Sequence, residues 1–139
     1  MQSSRDWDGV VAPSLDVIER LAAEAWSKLP AEFRAVCGDI VIRVEDFATD
    51  EVLDSVEVED PFELMGLYQG VSLDRKSTSD VAREPDMVFL YRRALIDYWA
   101  ESGEEPLGDI VTHVLVHEIG HHFGFSDDDM ERIEQEALG

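Results

Sequence analysis

The sequence predicts an α+β fold in which a small mixed β-sheet packs against helices, one of which is buried. Apolar residues recur at helical spacing in four segments. Three short runs rich in β-branched and aromatic residues lie between the first and second of these segments and are typical of strands. One helical segment, 106–123, is apolar around nearly its whole circumference, which indicates a helix enclosed by other elements.

The first helix is predicted over residues 14–29, because Ser14 is suited to the N-cap and Pro30 stops the apolar repeat. The three strands are predicted at residues 40–44, 64–69 and 87–91. A polar loop between the second and third strands, roughly residues 74–86, is long enough for a functional flap or a tolerated insertion, and the sequence slightly favours the insertion.

The remaining helices follow the third strand. A short one contains residues 94–99 and ends at Gly103. The central helix spans 106–123, with a proline suited to its first turn and Gly124 suited to a left-handed residue past its end. A last helix is predicted over 128–138. With no internal repeat or linker, we expect residues 1–139 to form a single domain.

The chain is strongly acidic, with 32 Asp and Glu against 11 Lys and Arg and a formal net charge of −21. Such a charge repels nucleic acid and anionic lipid, so neither is an expected partner. The N-terminal residues have no apolar signal segment, and the single cysteine, Cys37, is expected to be a buried, inert thiol. We therefore expect a cytoplasmic protein.

The central helix carries the segment His117-Glu118-Ile119-Gly120-His121. Two histidines one helical turn apart present their imidazoles on one stripe, where both reach a single cation. Glu118 is rotated by about 100° from His117, beside such an ion. Zinc with three protein ligands keeps a position for water, and a neighbouring carboxylate accepts that water's proton as it attacks a carbonyl.

Chance explains this pattern poorly, because an accidental HExxH is expected in about 0.3% of chains of this length. The stripe that carries His117 and His121 also includes Ile110 and Val114, so it is not a simple solvated face. Buried polar groups need partners, and a metal ion is one. The sequence therefore predicts Zn²⁺ bound by these two histidines.

A third ligand must come from beyond the helix. Gly124 allows a sharp turn, after which Asp127 is placed to return to the same ion. The nearby acids Asp128, Asp129 and Glu131 compete for this role, and Asp127 is also suited to cap the final helix. We predict Asp127 as the ligand.

Two further histidines are assigned other roles. His113 lies about 12 Å along the helix from His121, so the two cannot share one small coordination sphere, and we expect His113 to be a supporting or surface residue. His122 is rotated by about 100° from His121 and is expected to pack or to form hydrogen bonds.

The stretch from His117 to Asp127 matches HExxHxxGxxD, and its continuation HEIGHHFGFSDDDM resembles the zincin-like metallopeptidases, the minimal zincins. The resemblance implies a minimal zincin-like domain with His117, His121 and Asp127 as zinc ligands and Glu118 as the catalytic base. Longer relatives have a histidine in place of Asp127 and a downstream methionine turn. Because this sequence ends at Gly139, we expect no such turn and an activity that is weak or depends on a partner.

Two functions follow as hypotheses. The first is a zinc-dependent metallopeptidase that hydrolyses peptide bonds with a metal-activated water and Glu118 as general base, its peptide or protein substrate pairing with an exposed edge strand. The alternative is a noncatalytic, zinc-stabilised protein-binding module, which has no need of Glu118. Several side chains are candidates to stabilise an oxyanion, and the spacing does not choose among them: Tyr68, Tyr91, Arg92 and Tyr98.

Overall fold

The computed structural model describes residues 11–70 and 86–138. Within these ranges the chain forms six α-helices, one short 3₁₀ helix and three strands, which confirms the predicted α+β class. The helices are α1 (Leu15–Lys28), α2 (Ala31–Cys37), α3 (Asp50–Ser55), α4 (Arg92–Ser102), α5 (Leu107–Phe123) and α6 (Asp127–Leu138). The strands are β1 (Ile40–Glu45), β2 (Gly66–Gln69) and β3 (Asp86–Tyr91), and the 3₁₀ helix covers Pro61–Glu63.

The sheet has the strand order β1-β3-β2. β3 pairs in parallel with β1, aligning Ile42 with Val88, and antiparallel with β2, aligning Tyr68 with Val88. The sheet is therefore mixed, as predicted. Within the described residues β3 is the central strand, and β2 lies at the edge of the sheet.

Helix α5 lies at the centre of the molecule, in contact with α1, α4, α6, β2 and β3. All of its apolar side chains except the partly buried Phe123 are buried against these elements. Four of them are 0% exposed: Val111, Leu115, Val116 and Ile119. They join the main core with apolar residues of α1, β3, α4 and α6, including Ile18, Val88, Leu95 and Met130. The prediction of a buried central helix is confirmed.

Most predicted boundaries agree with the structure. Ser14 caps α1 by accepting a hydrogen bond from the backbone N–H of Val17, at 3.4 Å. Gly103 and Gly124 both have left-handed backbones, with φ of 71° and 78°, at the ends of α4 and α5. The predicted strand at 64–69 begins two residues later, at Gly66. The predicted loop at 74–86 lies outside the described residues except for Asp86, which begins β3.

Two short helices were not predicted. Pro30 ends α1 but also occupies the N-cap of α2, whose seven residues place Phe33 and Cys37 in the core. Thr49 caps α3 in the acidic segment, and its hydroxyl accepts from the N–H of Val52. Among the described residues, no helix combines the length and apolarity needed to cross a membrane.

Candidate active site

The second half of α5 brings His117 and His121 together on one side of the helix. Their ring centroids are 5.7 Å apart, and the rings are nearly perpendicular, at 81°. His121 is exposed, and His117 is partly buried. The expected one-turn spacing of two imidazoles is therefore present, and their nitrogens are donors of the type that zinc prefers.

Glu118 lies against the edge strand β2. A Cβ placed on Gly66 would come within 3.3 Å of the Cγ atom of Glu118 and within 2.7 Å of the Cγ1 atom of Val114. The missing side chain at Gly66 thus allows the strand to approach the helix closely. Two residues further along β2, the backbone N–H of Tyr68 is oriented as a hydrogen-bond donor toward the Glu118 carboxylate and lowers the pKa of that group.

The register of the sheet explains why this N–H is available. Tyr91 donates a backbone hydrogen bond to Met65, which lies directly opposite, at 2.9 Å. Hydrogen-bonded and non-hydrogen-bonded pairs alternate along an antiparallel ladder. Gly66 and Tyr68 therefore point their N–H and C=O groups away from β3, toward the side of β2 on which no other described strand pairs.

Burial changes the protonation of both central residues of the motif. It raises the pKa of the Glu118 carboxyl above its usual value, and the neighbouring His121 and the Tyr68 N–H only partly oppose this shift. Burial also lowers the pKa of the His117 imidazole, an effect to which His113 adds and which Glu134 and Asp127 oppose. A carboxyl with a raised pKa is a better proton acceptor, and a neutral imidazole is the form that binds a metal.

Asp127 is the first residue of α6, and it does not cap that helix through its side chain. The hydroxyl of Ser126 accepts from the backbone N–H of Asp129 at 3.1 Å, so Ser126 has the capping role that was considered for Asp127. The Asp127 carboxylate is exposed and lies near enough to His117 to act on it electrostatically. Of the competing acids, Asp129 forms an ion pair with Arg132 at 3.6 Å.

Among the described residues, the group of side chains whose ligand atoms lie close enough together to hold one metal ion differs from the predicted ligand set. It consists of His113, His117 and Glu134, whose ligand atoms all lie within 4.8 Å of one another. The Nδ1 atom of His113 is 2.9 Å from one carboxylate oxygen of Glu134, and the Nε2 atom of His117 is 3.7 Å from the other. His121 and Asp127 are not members of this group, so in this structure His117 faces Glu134.

Sequence reasoning missed Glu134 and the backbone of Tyr68. Glu134 is contributed by α6, and only the antiparallel return of that helix along α5 brings it beside two residues of the motif helix. The signal in the sequence is the repeat of histidines at 113, 117 and 121, which indicates that an acidic residue of another element faces this side of α5. Nothing in the sequence indicates that the Tyr68 N–H is directed toward Glu118, because its orientation depends on strand register.

The candidate oxyanion donors have other partners or other positions. The Tyr68 hydroxyl donates to Asp86 at 2.7 Å, and its ring stacks on His122 with centroids 3.9 Å apart. Arg92 donates from Nε to the carbonyl of Pro13 at 2.6 Å and pairs with Asp46. Tyr91 is 1% exposed, and Tyr98 is exposed on α4. The predicted packing role of His122 agrees with its stacking on Tyr68.

The residues at this site fit a zinc ion by the chemistry of their donors. His117 and His121 supply two imidazoles, and Asp127 has a carboxylate that Ser126 frees from capping. The comparison with known proteins identifies a family that implies a metal, typically zinc. A family model described as zincin-like metallopeptidase matches residues 37–137, which include all three strands, α5 and most of α6. No curated protein matches the sequence.

Proposed function

This chain belongs to the zincin-like metallopeptidase family, and we propose that it is a zinc-dependent peptidase in which Glu118 is the general base. The position of Glu118 against the edge strand β2 supports this proposal most directly, because a Cβ at Gly66 would lie 3.3 Å from its Cγ atom and the Tyr68 N–H lowers the pKa of its carboxyl. A purely structural zinc site gives no reason for the sheet edge to hold a carboxylate beside the two histidines. A general base, in contrast, must be held in a fixed position relative to the water whose proton it accepts, and a contact with the sheet edge holds it there.

The proposed zinc ligands are His117, His121 and Asp127. Zinc bound there lowers the pKa of water and polarises a carbonyl. Since burial lowers the pKa of His117, that imidazole stays neutral over more of the acidic range and is ready to bind metal. Binding requires His117 to turn from Glu134, its nearest carboxylate in this structure, toward His121.

Glu118 is proposed to accept the proton of the attacking water and to return it to the leaving amine. Burial raises its pKa, which brings the carboxyl closer to the pH at which proton acceptance and proton donation are both effective. The Tyr68 N–H, a donor directed at this carboxylate, is proposed to fix its orientation beside the reacting groups.

The substrate is proposed to be a peptide or protein segment in extended conformation. Gly66 and Tyr68 direct backbone groups toward the side of β2 on which no other described strand pairs, next to Glu118. The Tyr68 N–H is directed at Glu118, so the Gly66 groups and the Tyr68 carbonyl, which pair with no other strand among the described residues, are proposed to bind a peptide strand. This arrangement would align the peptide along β2 and place its backbone beside the base.

Incubation of the zinc-loaded chain with a diverse peptide library, followed by mass spectrometry, tests this function. The Glu118→Gln variant, loaded with the same amount of zinc, is the control. We expect new peptide termini with the unchanged protein and none with the variant. Equal cleavage by both proteins would reject Glu118 as the base, and no cleavage by either would favour a zinc-stabilised binding module.

A further inference from the structure

Two sets of metal-binding side chains share His117. One is the proposed catalytic set, which includes His121 and Asp127. The other is the group of His113, His117 and Glu134. We propose that this second group is a distinct binding position for zinc or a similar divalent cation, and that an ion bound there withdraws His117 from the catalytic set.

The spacing of the three donors suits one small ion. With zinc bonds of about 2.0–2.1 Å and tetrahedral angles, neighbouring donor atoms lie roughly 3.4 Å apart. The distances from the Glu134 carboxylate to His113 and His117 are 2.9 Å and 3.7 Å, on either side of that value. The two imidazole nitrogens lie within 4.8 Å of each other, so side-chain rotations that bring this distance to about 3.4 Å would place all three donors around one ion.

The chemistry of the donors is also that of a zinc site. Two imidazoles and one carboxylate form the same donor set that holds zinc in many metallopeptidases, with an open position for water. The side chain of Glu134 is 17% exposed and that of His117 is 27% exposed, so solvent only partly satisfies them. The net charge of −21 further raises the local concentration of cations around the chain.

Helix packing holds the second position in place. α5 presents His113 and His117 one turn apart, with ring centroids at 4.0 Å, and α6 places Glu134 across from both. The Met130 side chain fits against Gly120, where even a Cβ atom would collide with it, so the two helices are in close contact one turn away. The three donors thus belong to two helices whose relative position is set by the core.

Sharing of His117 makes the two positions mutually exclusive. The Nε2 atom of His117 is the one that faces Glu134, and it cannot bind a second ion at the same time. The unchanged chain is therefore expected to bind one zinc ion, whichever position is filled. Removal of His121 should leave the second position intact, whereas removal of His117 should eliminate both.

Zinc titration by calorimetry, with metal analysis after equilibrium dialysis, tests the proposal. The His121→Ala variant should bind one zinc ion per chain. Adding Glu134→Gln to that variant should weaken binding at least tenfold, whereas adding Glu136→Gln, the same change at an exposed site on α6, should not. No zinc binding by His121→Ala, or equal affinities of the two double variants, would overturn the second position.

Two further measurements identify the ligands and distinguish a lost zinc ligand from a misfolded variant. Nitrogen NMR of the imidazoles in zinc-loaded His121→Ala should show metal-induced shifts at His113 and His117, and unshifted signals at His113 would contradict the assignment. The unchanged chain should bind one zinc ion and not two at saturation, since two would contradict the sharing of His117. The sharing of His117 rests on the proposed catalytic ligand set, whereas zinc binding by His121→Ala does not, and neither result depends on peptide cleavage, so failure of the second position is distinguishable from failure of the proposed function.

Discussion

The backbone N–H of Tyr68, in the edge strand β2, is oriented as a hydrogen-bond donor toward the carboxylate of Glu118 in helix α5 and lowers its pKa. This arrangement arises because strand register turns the N–H away from β3 and because Gly66 lets the strand approach the helix. Because the Glu118 carboxylate lies at the sheet edge, a peptide that pairs with β2 would lie beside the same carboxylate. The same contact thus links the proposed base to the proposed substrate surface.

Replacement of Gly66 by alanine is expected to separate β2 from α5. The added Cβ would lie 2.7 Å from Val114 and 3.2 Å from the carbonyl oxygen of Phe89, which is backbone and cannot easily move. Overpacking of this kind costs about 1–3 kcal/mol, and urea unfolding measures it. Gly108→Ala is the matched control, because its Cβ would make an ordinary contact of 3.5 Å with Leu21 inside a helix. Equal stabilities of the two variants would contradict the close approach.

Substitution of Glu118 by glutamine is expected to stabilise the metal-free chain at neutral pH. Because burial raises the pKa of Glu118, its contribution to stability is present below its unfolded-state pKa and is lost as the pH rises through the folded-state pKa. Glutamine has no such loss and still accepts from the Tyr68 N–H. Urea unfolding at pH 5.5 and pH 8, with chelator present, should show an advantage for Glu118→Gln that grows with pH. An advantage that shrinks with pH would contradict the predicted sign.

Removal of the Asp127 carboxylate is expected to weaken zinc binding at the catalytic set. Asp127→Ala should reduce the affinity at least tenfold, whereas Asp128→Ala should not. Both residues lie in the first turn of α6, so both changes remove the same favourable interaction with the helix dipole. Calorimetric titration in a Glu134→Gln background isolates the catalytic set from the second position. Equal effects would remove Asp127 from the ligand set.

Cys37 is expected to react slowly with alkylating agents in the folded chain. Burial raises the pKa of its thiol from 9.0 to about 11, and the thiol donates to the Phe33 carbonyl at 3.2 Å. At pH 8 this lowers the thiolate fraction by roughly 100-fold relative to the unperturbed thiol. Iodoacetamide labelling in buffer and in urea, followed by mass spectrometry, measures the ratio of rates. Similar rates in both solvents would show that Cys37 is accessible.

Much of the fold could be predicted from the sequence, because the apolar pattern of a long helix indicates which of its faces are buried against other elements. The circumference of α5 is apolar, which predicts its central position. Ser14 predicts the start of α1, and Gly103 and Gly124 predict the ends of α4 and of α5 itself. The short helices α2 and α3 could not be predicted with the same means. Each is two turns or fewer, and the burial of Phe33 and of Leu53 depends on tertiary contacts.

In the candidate site, too, the local features could be predicted and the contacts between distant segments could not. His117, Glu118 and His121 follow from spacing on one helix, as local periodicity determines which side chains share a face. The contact of Glu134 with His113 depends on how α6 returns along α5, and the contact of Tyr68 with Glu118 depends on strand register. Both involve residues distant in sequence from their partners. Packing decides such contacts, and no local pattern encodes them.

The catalytic role of Glu118 is tested most directly by the specificity constant for one peptide found to be cleaved in the library. The value of kcat/KM is compared between the unchanged chain, Glu118→Gln and Glu136→Gln, all loaded to the same zinc content. We predict a loss of about 10²–10⁴-fold for Glu118→Gln, the usual contribution of a general base, and no loss for the control. An unchanged kcat/KM in Glu118→Gln would contradict the account.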